Sequence, residues 1–411
     1  MRGAFCASVD PPPPIGCPGA VLGVDLSFSG QRLATCGSKK IQVFHVQSGA
    51  PIYEKASTDR PRAVKLSLDG KRVAAGIDGK LQVRRIDDGA HYHTFDKIAS
   101  RASTISIDRG STIFAIGCED GKLAVFDLNA LDETGSPRWT AELEKKVCAA
   151  VSPDGAFVAA GDHADAVCVY AAKSGALLWS KTSWGDALGP PFTSGLSFAG
   201  DSSMLAIGRW DACAYLLDTK TWTIVASVKR KDSVYSVSLD YLGKRMGISG
   251  RDKKAQVFTV DVERSAKYRA GCRPIAKLEL IFSAQLDCIV NAVALTRDGK
   301  ILAAGCVDAL VYIYLVNTKI MSHIIPHGGS VLSVAFSLDD NHLAVGGEHN
   351  SLNVWGMLED GPPDQVLALP RQGRITSVAF SSACICFVSG ALATIYGNGN
   401  EHRDYEVKRR E

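Results

Sequence analysis

The residues best suited to recognition chemistry in this chain are an aromatic and a cationic set. The stretch Ser183-Trp184-Gly185-Asp186-Ala187-Leu188-Gly189-Pro190-Pro191-Phe192 reads as a connector between regular elements, and it carries two aromatic rings. Further along stands Arg209-Trp210-Asp211. Trp and Arg are the side chains that most often anchor protein interfaces, so Trp184, Phe192, Arg209 and Trp210 form one candidate protein-binding group. The competing expectation is that Trp184 folds inward and plugs the molecule. A second group is electrostatic. Between Lys229 and Lys277 there are 13 basic and five acidic residues, a local charge of +8 in a chain whose total is only +3. Arg251, Lys253 and Lys254 are its densest part and fit an acidic protein or peptide, with RNA or a phosphate-bearing partner as the alternative. The plainer reading of such a run is a solvated basic loop.

Catalytic signatures are missing. The chain has no Gly-x-Ser-x-Gly elbow, no phosphate-binding Gly-rich loop with its Lys, and no His-Glu-x-x-His. His91-Tyr92-His93 can place two imidazoles on one strand face, but no third ligand accompanies them. The 12 cysteines include no Cys-x-x-Cys pair, and Cys384-Ile385-Cys386 reads as a strand with two thiols on one side. Several others lie in strand-like runs such as Ala34-Thr35-Cys36-Gly37 and Ala304-Gly305-Cys306. Such thiols behave as small apolar side chains in a reducing compartment. No disulfide, metal site, cofactor site or catalytic residue is therefore expected. With no apolar run of 18 residues, and with Pro11 to Pro14 interrupting the first segment, the sequence predicts a soluble cytoplasmic protein with no membrane contact.

The elements that must position these groups come from a repeat. Nine units begin near Val21, Ala63, Ser103, Val147, Thr193, Ser233, Ile289, Val331 and Ile375, a mean period of about 44 residues. Each opens on an alternating strand such as Val331-Leu332-Ser333-Val334-Ala335-Phe336, followed by a turn that is often Asp-Gly, as at Asp69-Gly70, Asp154-Gly155 and Asp298-Gly299. Asp-Gly suits a tight hairpin because Gly accepts positive φ. A second strand ends in Ala-x-Gly, where small residues permit close approach of neighbouring sheets. Another turn, usually with Asp, leads to a third strand. A looser fourth strand carries Tyr53, Trp139, Trp179 or Trp222, read as packing between units rather than as docking for a quinone cofactor. The sixth unit is the longest, with its extra length around Glu263 to Cys288.

On this grammar the chain resembles the tryptophan–aspartate (WD) repeat family from Val21 to about Val407. Matching features include Val151-Ser152-Pro153-Asp154-Gly155, Ser337-Leu338-Asp339-Asp340 and the second-turn residues Asp78, Asp120, Asp165, Asp211, Asp252, Asp308 and Asn350. The resemblance implies that these aspartates brace the turns. It also implies an all-β, single closed β-propeller of four-stranded antiparallel blades. Nine blades are favoured, and eight with an irregular terminal unit is the alternative. No unit closes on Trp-Asp and the family's Gly-His pair is absent, so the blades are expected to hold by packing. The propeller is expected over 20–408, preceded by a tail at 1–19 whose Gly3 to Val9 is a candidate closing strand, and followed by a basic tail at 409–411. The function implied is a non-enzymatic scaffold for protein–protein interactions within a larger assembly. An RNA- or phosphate-associated propeller is the alternative, and a propeller hydrolase or dehydrogenase is disfavoured.

Overall fold

The structure, a computed structural model, describes residues 21–387 except 28–30, 38, 47, 49, 59–60, 62, 68, 78–79, 88–90, 96–101, 128–135, 185–191, 264–274, 338, 349–350, 358–361, 371–377 and 381–384. The described residues contain no helix and form eight four-stranded antiparallel blades. Their innermost strands start at Val21, Val64, Ala102, Val147, Thr193, Val234, Val290 and Val331, within a residue or so of the repeat starts. The count is thus the alternative of eight, not nine. From the ninth unit come two three-residue strands that join other sheets. Val378–Phe380 pairs in parallel with Val21–Leu26 of blade 1, and Ile385–Phe387 pairs antiparallel with Thr193–Phe198 of blade 5. This unit carries no Asp-Gly turn to fold a hairpin of its own. The expected closing strand Gly3 to Val9, the tail at 409–411, Asp78 and Asn350 lie outside the described residues.

Two devices hold blade to blade. The first is a glycine at or next to the end of the second strand. A Cβ on Gly161 would stand 2.6 Å from a methyl of Thr193, and one on Gly76 would stand 2.7 Å from the Cβ of Ala102. Both neighbours open the following blade, so the Ala-x-Gly pattern is where the next sheet presses in. The second is a set of hydroxyls on the innermost strands. Thr104 and Ser106 accept the N–H groups of Ala149 and Val151 at 3.1 and 3.0 Å, and Ser238 accepts that of Leu295 at 3.1 Å. The innermost strands of blades 4 and 7, which receive these bonds, have one edge without a strand partner, and the hydroxyls satisfy buried donors there. Asp25 fills the same role in blade 1, accepting the Leu66 N–H at 2.6 Å.

Aromatic residues lock the outer parts. Trp139 donates its indole N–H to the Ala172 carbonyl of the next blade at 2.7 Å. Trp222 meets Phe157 edge-to-face at 4.8 Å, but it sits at φ +52° in the turn before Thr223–Lys229 rather than in that strand. Blade 6 is the enlarged one. Its outer hairpin, Lys254–Glu263 and Ile275–Gln285, has strands of 10 and 11 residues. Cys36, Cys118, Cys148 and Cys306 are buried free thiols, and Cys168, Cys213 and Cys288 are half-buried ones.

Candidate protein-binding face

Second turns and inter-blade connectors share one face of a propeller, so the two candidate groups meet there. The backbone of these turns repeats. Gly121, Ala212, Lys253 and Ala309 all adopt left-handed φ, between +64° and +94°. The aspartate just before each accepts the N–H two residues on. These are Asp120 from Lys122 at 3.2 Å, Asp211 from Cys213 at 3.1 Å, Asp252 from Lys254 at 3.3 Å and Asp308 from Leu310 at 3.1 Å. This is the bracing that the resemblance implied.

Blade 4 departs from it. Asp165 itself occupies the left-handed position, at φ +102°. Asp162 takes over the brace, accepting from Ala164 and Ala166 at 2.9 and 2.8 Å. Asp165 is thereby freed to accept the Ser183 N–H at 2.8 Å and an Arg209 Nη2 hydrogen bond at 2.5 Å.

That second contact organises the aromatic group. Arg209 is completely buried. Its Nε donates to Asp211 at 2.7 Å, and its guanidinium lies 4.5 Å from the Trp184 ring centroid. Trp184 donates its indole N–H to the Asp165 carbonyl at 2.8 Å and packs 4.6 Å from Tyr215 and 6.1 Å from Trp179. Trp179 belongs to the outermost strand of blade 4, so Trp184 is a wedge between blades 4 and 5 and not a plug of the ring. Phe192 stacks on His163 at 4.9 Å and sits 5.6 Å from Trp210, which in turn sits 5.5 Å from Tyr235.

The four aromatic-group residues therefore do assemble, but in two layers. Trp184 and Phe192 are half-exposed. Arg209 and Trp210, the latter 8% exposed, lie beneath them. The expectation that Arg209 and Trp210 meet a partner directly is corrected accordingly. Two carboxylates draw the guanidinium inward, and the Trp210 indole fills the junction with blade 6. The middle of the connector, residues 185–191, lies outside the described residues. Beside this group, burial together with Lys146 and Lys145 pushes the His163 imidazole down to about 4. Its buried Nε2 has no hydrogen-bond partner among the described residues.

In blade 6 the same turn faces outward. The Arg251 side chain is 61% exposed, and its Nε lies 3.9 Å from Asp232. Lys253 is exposed and donates to the Asp287 carbonyl at 3.0 Å, while Lys254 is half-buried. Asp252 is spent internally: Arg230 grips it with two hydrogen bonds, at 2.7 and 2.5 Å. Arg230 belongs to the basic run but is a buried structural cation. Pairing Asp252 away leaves Arg251 and Lys253 as the outward charges of the turn. Sequence reasoning missed the structural roles of Asp165, Asp162, Arg230 and His163. For the first, the signal was available in Ala164, which leaves the bracing position without a carboxylate.

Residues 276–314 and 318–356 match the family model for the WD domain, G-beta repeat. Each match runs from the outermost strand of one blade through the first three strands of the next. Residues 124–212 match a model described as outer membrane protein assembly factor BamB. No curated protein matches the chain. Among solved structures, the chain is similar to the computationally designed Ika8 protein, with a TM-score of 0.66 and 17% identity over 83% of this chain and 98% of that one. It is similar to the β-propeller domain of Cps50 (Swd1) from Myceliophteria thermophila, with a TM-score of 0.56 and 16% identity over 72% and 96% of the two chains. A chain of the Mitotic Checkpoint Complex gives a TM-score of 0.53 and 19% identity over 75% and 94%. These likenesses are of fold. No helix among the described residues is long and apolar enough to cross a membrane.

Proposed function

We propose that this eight-bladed chain is a propeller of the WD-repeat kind and acts as a non-enzymatic scaffold whose second-turn face binds an acidic protein or peptide. The observation that supports this reading is the contrast within one face. Trp184 and Phe192 are half-exposed rings fixed from below, and the adjoining blade projects Arg251 and Lys253 while Asp252 of the same turn is held by Arg230. A fixed indole loses little freedom on binding, which is what an anchor residue requires. Outward cations steer an acidic segment toward it. Arg209 and Trp210 act as positioning residues. One neighbour in fold comes from a protein complex, the Mitotic Checkpoint Complex, which agrees with a scaffold role.

The test is an array of synthetic peptides pairing an apolar residue with acidic or neutral flanks, probed with the intact protein. Single-stranded RNA of matched charge is probed in parallel. Acidic peptides should be retained, and Trp184→Ala and the Arg251→Glu, Lys253→Glu pair should each weaken retention. Retention of RNA alone, with steep salt dependence, would replace this reading with the nucleic-acid one. Equal retention by both variants would remove the face from consideration.

A further inference from the structure

Where the connector between blades 6 and 7 reaches the second turn of blade 7, three ligand-type side chains converge. The Sγ atoms of Cys288 and Cys306 and a carboxylate oxygen of Asp308 all lie within 4.8 Å of one another. We propose that this cluster is a three-ligand site for a thiophilic divalent cation of the zinc class. Two sulfurs and one carboxylate oxygen favour such an ion over magnesium or calcium, which take oxygen ligands. A tetrahedral zinc with metal–sulfur bonds of about 2.3 Å holds its sulfurs about 3.8 Å apart, so the observed spacing needs only a small closure.

The surroundings fit a built site. Cys306 is completely buried at the end of Ile301–Cys306, Cys288 is half-buried, and Asp308 is exposed. An ion can thus enter from the Asp308 side, with water as its fourth ligand. The carboxylate is already oriented. One oxygen accepts the Leu310 N–H at 3.1 Å, and the other accepts the Tyr312 hydroxyl at 2.7 Å. Outer hydrogen bonds of that kind aim a carboxylate ligand. The backbone is fixed as well, since the Val307 N–H donates to the Ile289 carbonyl at 3.1 Å. Binding would release one proton from each thiol as its metal–sulfur bond forms. It would also staple the connector to the turn.

The test is titration of the reduced, chelator-treated full chain with cadmium and with cobalt(II), reading thiolate-to-metal absorption. The expected result is one ion per chain, with a band that is lost in Cys288→Ser and in Cys306→Ala and kept in Cys213→Ser. Asp308→Asn and Tyr312→Phe retain the turn geometry and should weaken binding by about tenfold or more while circular dichroism stays unchanged. That pair keeps the test decisive if a cysteine variant folds poorly. Absence of a thiolate band in the wild type, a band insensitive to Cys288 and Cys306, or unchanged affinity in Asp308→Asn and Tyr312→Phe would overturn the site.

Discussion

The second turns of blades 5 and 6 occupy the same place in neighbouring repeats and share a backbone, yet one is sunk and the other is presented. In blade 5 the turn reads Arg209-Trp210-Asp211-Ala212, and in blade 6 it reads Gly250-Arg251-Asp252-Lys253. Each aspartate braces its own turn and is matched by a buried arginine. In blade 5 that arginine comes from the same turn, so the cation is drawn inward and carries Trp184 with it. In blade 6 it comes from the preceding connector as Arg230, so the turn's own cations stay outside. The source of the counter-charge thus decides whether the turn's own cation is buried or faces outward.

The sharpest way to break this comparison is to remove the inward cation. Arg209→Ala leaves the Asp211 carboxylate buried without its partner, and losing one member of a buried pair costs about 3–5 kcal/mol. Arg251→Ala, at an exposed position, should fall within about 0.5 kcal/mol of the wild type. Urea denaturation of the two variants checks both, and similar midpoints would erase the distinction.

A pH series sharpens it next. Burial holds the His163 imidazole at about 4 in the folded chain, against an ordinary value of 6.5. The unfolded chain therefore takes up this proton first. The associated stability is whole above pH 6.5 and is lost progressively as pH falls from 6.5 toward 4. His163→Phe should flatten the urea midpoint across that window, and an unchanged slope would mean that His163 titrates normally.

Trp184→Ala should have an intermediate effect. The wedge between blades 4 and 5 is half-buried, so a loss of about 2 kcal/mol is expected, roughly half the cost of emptying a core tryptophan site. A loss near zero in the same denaturation assay would mean that the ring does not hold the two blades together.

Much of the fold was legible because period and turn chemistry are local. Every second-strand glycine and every Asp-Gly hairpin announces itself in a few residues, which is why the repeat starts fell so close to the strand starts. The ninth unit misled because periodicity registers the apolar run at Val378 but not whether a hairpin follows. Val378–Phe380 and Ile385–Phe387 join blades 1 and 5, and strand partners so distant in sequence leave no local mark. At the candidate site, residue type picked out Trp184, Phe192, Arg251 and Lys253, which the fold leaves half-exposed or exposed. It could not tell that Arg209 points inward, because that depends on Asp165 reaching across from blade 4 as well as on Asp211 beside it. The Cys288, Cys306 and Asp308 cluster escaped for the same reason, since nothing in their spacing resembles a metal motif.

The most direct measurement of the central claim is the affinity of one array-selected acidic peptide for three forms of the full chain, by calorimetry with the urea midpoint of each. The account predicts that Arg251→Glu with Lys253→Glu weakens binding by about tenfold or more, about 1.4 kcal/mol, while stability moves by less than about 1 kcal/mol. It also predicts that Arg209→Met lowers the midpoint strongly and weakens the affinity of the folded fraction by less than the charge reversal does, since Arg209 acts only by positioning Trp184 and does not touch the partner. Undiminished affinity in the charge-reversed form, or loss of affinity with an unchanged midpoint in Arg209→Met, would contradict it.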